Sequence, residues 1–88
     1  MASHKSALKA HRQSLTHRNR NRIIKGNVRG AIKRTRAEVA AGDMAGAQAS
    51  LQEAISELDK AAKRGIIHPN NAARRKSRLM RLYNQAAQ

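Results

Sequence analysis

Four histidines, five acids and nineteen lysines and arginines are the side chains with which this chain could do chemistry. The histidines fail as a metal set. His4, His11 and His17 recur near every two helical turns, so His4 and His11 can share a face, yet they stand roughly 10 Å apart along the axis. One chain cannot close a tetrahedral site across that gap. They read as polar or phosphate-facing residues, and His68 as a capping or packing residue, so no metal site is expected. The acids Glu38, Asp43, Glu53, Glu57 and Asp59 look like the exposed face of one helix, with no nucleophile paired to a base. No glycine-rich loop of the Walker or dinucleotide type is present. Neither an enzyme nor a cofactor is expected.

The cations read differently. An arginine presents a planar fork that matches phosphate oxygens two at a time. A formal charge of +14 on 88 residues exceeds what solubility requires, and its self-repulsion opposes a compact state unless a polyanion relieves it. The charge also falls in blocks. Met1 to Arg36 holds no Asp or Glu, all the acids lie between Glu38 and Asp59, and Lys63 to Gln88 is again purely basic. A single basic cluster is usually a solvated face, but two acid-free blocks around an acidic middle point to nucleic acid. Tyr83 is the one aromatic residue, which excludes a base-stacking platform as the main mode and reads as a core residue with its hydroxyl at the edge. What remains is recognition of folded or duplex backbone, which in RNA means phosphate and 2′-hydroxyl contacts. Gln13, Ser14, Asn19, Asn21 and Asn27 can form hydrogen bonds between the charges.

Composition does not separate RNA from DNA, so a nucleoid-type DNA-binding protein stays open. A cationic membrane-active helix is a second alternative, disfavoured because the N-terminal half lacks a continuous apolar face and the chain has no Trp or Phe. No apolar run approaches the roughly 20 residues of a bilayer span. Cysteine is absent, so no disulfide framework is available. The opening Met1-Ala2-Ser3-His4-Lys5 leads into no apolar stretch, so a secretory signal is not expected and the cytoplasm is the default location.

A chain of this length makes one domain with a small core, and its glycines punctuate it into three helices. The first is expected from about Ser3 or Lys5 to Ala41. Its second half carries an apolar stripe at Ile24, Val28, Ala31, Ile32, Thr35 and Val39, three or four residues apart. Its first half offers only Leu8 and Leu15, with Arg12, Arg18, Arg20 and Arg22 pointing in different directions. That half should fray in water and order when phosphates surround it. Gly26 and Gly30 each cost about 1 kcal/mol against Ala inside a helix and allow a bend there.

Gly42 suits the C′ position of this helix and Asp43 the N-cap of the next. Met44, Ala47, Leu51, Ala54, Ile55, Leu58 and Ala61 then form the cleanest helical period in the chain, with Glu53, Glu57 and Lys60 on the wet face. Gly65 ends that helix, and Ile66 and Ile67 should plug the end of the bundle. Pro69 fits the first turn of a third helix, capped by Asn70 or Asn71. Its inner side should carry Ala72, Ala73, Leu79, Met80, Leu82 and Tyr83, with Arg74, Arg75, Lys76, Arg78 and Arg81 on the remainder. The expected fold is all-α, an antiparallel three-helix bundle. The long N-terminal helix, roughly 60 Å at about 1.5 Å per residue, should overhang it. Residues 1–22 would form a basic helical extension and 23–88 the bundle, within a single domain over 1–88.

Two stretches carry a family resemblance. Leu58-Asp59-Lys60-Ala61-Ala62-Lys63-Arg64-Gly65-Ile66-Ile67-His68 and Ala72-Ala73-Arg74-Arg75-Lys76-Ser77-Arg78-Leu79-Met80 closely resemble the signature of the family of the twentieth protein of the bacterial small ribosomal subunit. Lys5-Ser6-Ala7-Leu8-Lys9 and His11-Arg12-Gln13-Ser14-Leu15 look like the opening of the same family. The resemblance implies a three-helix bundle that binds small-subunit (16S) ribosomal RNA directly, as a monomer within the particle, and helps assemble it. It implies a ribosomal location in the cytoplasm, with no membrane and no small-molecule substrate. The RNA-contacting residues it implies are Lys5, Lys9, Arg12, Arg18, Arg20, Arg22, Lys25 and Arg29, then Arg74, Arg75, Lys76 and Arg78. Pro69 departs from the family, whose members usually carry a basic residue after the histidine, so the loop is expected to be stiffer and to lack a phosphate contact there.

Overall fold

The computed structural model describes the backbone of residues 3–88 and the side chains of residues 12–88, Ser14 apart. Among the described residues there are three helices, α1 (Ser3–Ala41), α2 (Met44–Lys63) and α3 (Pro69–Ala87). The ends of α1 and α2 are built alike. The amide of Gly42 donates to Val39 O (3.1 Å) and that of Asp43 to Glu38 O (2.9 Å). At the end of α2, Gly65 donates to Ala62 O (3.0 Å) and Ile66 to Ala61 O (2.9 Å). Both patterns need a left-handed residue, and Gly42 (φ 78°) and Gly65 (φ 74°) supply it without a Cβ penalty.

The starts differ. Asp43 Oδ1 accepts the amide of Gly46 at 3.1 Å, as an N-cap carboxylate should. In α3 the cap is His68 rather than Asn70 or Asn71: its Nδ1 accepts the Asn70 amide at 3.1 Å. Proline settles this register. Its fixed φ places Pro69 at the first helical position, which makes the residue before it the cap.

Packing proceeds in two layers. Ile24, Val28, Leu58, Ala61 and Ala72 form one buried cluster, closed off by the partly buried Ile66 and Ile67. Ala31, Leu51, Ala54 and Leu79 form the other, flanked by Ile55, Leu82 and Tyr83. Thr35 is fully buried among them and satisfies its hydroxyl by donating to Ala31 O at 2.8 Å. The pairing runs in opposite directions along α1 and α2, because Glu38 meets Ser50, Arg34 meets Glu53, and Ile24 and Val28 meet Leu58. The same holds for α2 and α3, where Asp59 meets Lys76 and Leu51 lies with Leu79. α1 and α3 therefore run parallel, side by side.

Two residues assigned to the inner side of α3 lie outside it: Ala73 is exposed, and Met80 is 44% exposed. The buried line of α3 runs through Ala72 and Leu79 with Lys76 and Tyr83 partly covered. Ala73 and Met80 sit roughly 70–90° around from the centre of that line, on the exposed flank. The acids do not share one exposed face either. Glu38 belongs to α1, half-buried, and both its oxygens accept from Ser50 Oγ at 3.0 Å, while Glu57 is half-buried on α2.

The molecule is long. Its extents are 67 × 22 × 13 Å and its radius of gyration is 17.5 Å, against about 12 Å for a compact domain of this size. Among the described side chains of α1, none before Ile24 is buried, and Leu15 is 43% exposed. The first half of α1 thus projects past its neighbours.

Candidate nucleic-acid interface

Helical spacing aligns one set of cations. Arg18, Arg22, Lys25, Arg29, Lys33 and Arg36 follow one another three or four residues apart, so they share a face of α1 over five turns. That face lies roughly 90–100° around the helix from Val28 and Thr35, beside the core stripe rather than opposite it. Since α3 runs parallel to α1, its own flank at Arg75 and Arg78 lies alongside.

Three shallow concavities join end to end along this seam. The first follows α1 alone and is lined by His17, Arg18, Asn21, Arg22, Lys25 and Arg29. The second is bounded by Lys25, Val28 and Arg29 of α1, by the link Ile66-Ile67-His68, and by Asn71 and Arg75 of α3. In the third, Arg29, Ile32, Lys33 and Arg36 face Arg75, Arg78 and Leu79. Arg29 borders all three, and Lys25 and Arg75 two each, which makes them one groove. No Asp or Glu lines any part of it.

Like charges crowded this closely repel, and the acids that could neutralise them are engaged elsewhere. Glu53 pairs with Arg34 (3.0 Å), both side chains being 54% exposed, and such a surface pair contributes at most about 1 kcal/mol. Asp59 accepts from Lys76 Nζ at 2.6 Å across α2 and α3. Glu38 is held by Ser50. These three acids thus serve the flanks of α1 and α3 that face α2, and no acid lines the groove on the other side. Within the groove Arg75 is oriented: its Nε donates to Asn71 Oδ1 at 2.9 Å, which leaves the Nη donors for a partner.

Of the residues implied by the family resemblance, Arg18, Arg22, Lys25, Arg29, Arg75 and Arg78 converge on the groove. Arg18 and Arg22 share a face instead of diverging. Arg12, Arg20 and Arg74 are exposed and do not line it. Lys76 is turned to α2 by its bond to Asp59. Lys5 and Lys9 fall outside the described side chains. Two groove residues, Lys33 and Arg36, were not among the expected contacts, and their signal is the helical spacing that continues from Arg18 through Arg29. Among the described residues no helix is long and apolar enough to cross a membrane.

The chain matches the family model described as "Ribosomal protein S20" over residues 2–84. It is 51% identical over 86 residues to "Small ribosomal subunit protein bS20" of Solidesulfovibrio magneticus, covering 98% of this chain and 97% of the relative. A protein of the same name from Oleidesulfovibrio alaskensis is 51% identical over 79 residues, covering 90% and 91%. Another from Dehalococcoides mccartyi is 48% identical over 87 residues, covering 99% of each chain.

Proposed function

We propose, because this chain belongs to the ribosomal protein S20 family, that it is a structural protein of the small ribosomal subunit which binds 16S ribosomal RNA directly. The observation that carries this reading is the acid-free groove between α1 and α3, with cations drawn from both helices. A groove of this kind offers fixed positive charge to a phosphate backbone. Phosphate contacts position a nucleic acid and supply most of the salt-dependent affinity.

Residues 23–88 form the anchoring bundle, and residues 1–22 form a basic extension that reaches beyond it. In the free protein the extension frays under its own repulsion, and in the particle it orders between RNA segments. Bundle and extension neutralise phosphates of different segments and so hold them together. The chain acts as a monomer within the particle, in the cytoplasm, as scaffold rather than catalyst. Chemical footprinting of small-subunit RNA tests this directly. Protection should appear on addition of the protein and disappear when Arg29 and Arg75 are both replaced by alanine. An unchanged footprint in that double variant defeats the assignment of the groove.

A further inference from the structure

We propose, resting on the RNA-binding reading above, that His68 is itself an RNA-contacting residue, donating from Nε2–H to a phosphate oxygen seated between Lys25, Arg29 and Arg75. The capping bond is the starting point. Nδ1 accepts the Asn70 amide at 3.1 Å, and a ring nitrogen that accepts carries no proton. In the neutral ring the proton therefore resides on Nε2, where it is a donor. Capping fixes the orientation of the ring as well as its tautomer.

His68 borders the same concavity as Lys25, Arg29 and Arg75. No acid lines that concavity, and no described residue accepts from His68 Nε2. Arg75 is pre-oriented by Asn71 in the same first turns of α3. Two neighbouring side chains are thus each held by one local hydrogen bond, with their remaining donors uncommitted. Ile66 and Ile67 form an apolar wall at the same place. A phosphate there would meet three cations and one directed neutral donor.

Capping alone would also account for the ring, so the test removes the donor and keeps the cap. Full-length protein is made by chemical synthesis with His68 methylated on Nε2, which leaves Nδ1 free to accept from Asn70. Its affinity for small-subunit ribosomal RNA should fall roughly tenfold, with unchanged helicity by circular dichroism. Affinity within about twofold of the parent, while Arg29→Ala and Arg75→Ala each weaken binding, overturns the inference and leaves the ring a cap only. If those two variants also bind like the parent, the groove reading fails and this inference fails with it. Should methylation disturb the helix, His68→Ser decides, because serine keeps an N-cap oxygen while its short O–H does not extend to the position of Nε2. A tenfold loss in that variant supports the contact, and parental affinity overturns it.

Discussion

Residues 24–39 and residues 12–22 of α1 share one helix and a net positive charge, yet different forces support them. The later segment buries Ile24, Val28, Ala31 and Thr35 against two neighbouring helices. Apolar burial there offsets the repulsion among Lys25, Arg29, Lys33 and Arg36. The earlier segment buries nothing among its described side chains, so no comparable term opposes the repulsion among Arg12, Arg18, Arg20 and Arg22. One side-chain to backbone bond, Thr16 Oγ1 to Arg12 O at 3.0 Å, is local and weak. The lesson is that a helix can be specified by packing over one half and, on the function proposed here, by its partner over the other.

Added salt should separate the two most strongly. With some 8–10 phosphates neutralised, log K for RNA should fall with log[salt] at a slope of magnitude about 7–9, or roughly 10⁴–10⁵-fold between 50 and 200 mM. Thermal stability of the bundle should hold over the same range, because salt screens the self-repulsion of the free protein. A filter-binding or fluorescence titration giving a slope near one or two breaks the account of the groove.

Core truncation comes next. Leu58 is fully buried between the helices, so Leu58→Ala should cost about 2–5 kcal/mol in chemical denaturation. Leu15→Ala should cost less than about 0.5 kcal/mol. Equal losses would show that the extension is packed after all. Replacing Arg18 and Arg22 together by alanine should lower the magnitude of the salt slope by about two while leaving the melting temperature of the bundle in place. A bundle that melts earlier in this variant would mean those arginines stabilise the fold.

A modest gain in stability is expected at the junction of the two halves. A Cβ at Gly26 would meet nothing within 4 Å, so no close approach requires glycine there. Gly26→Ala should stabilise the protein by up to about 1 kcal/mol. A loss of stability would show that α1 bends at this residue for a reason its static packing does not reveal.

Much of this architecture was legible before any coordinates. Gly42, Asp43, Gly65 and Pro69 mark helix boundaries through backbone preferences that act within a single turn, and each sits where those preferences require. The core stripes of α1 and α2 follow from helical period alone. The apolar residues of α3 are few and scattered over more than one line, so residue type alone points Ala73 and Met80 inward. Gly46 shows what period cannot reveal: a Cβ there would come within 2.9 Å of Glu38 Oε2 and also strike the Asp43 carboxylate, a clash created by the turn between two helices.

The sequence by itself determined three helices, the glycine ends of the first two and the Asp43 cap between them, the separation of acids from cations and the family to which the chain belongs. Only the tertiary structure decided which cations act together. Lys33 and Arg36 join the groove, Arg74 turns away, Lys76 is held by Asp59, and His68 caps α3 at the groove's edge. Caps and periods depend on neighbours along the chain. How each helix is rotated about its axis against another depends on how distant side chains fill the space between them.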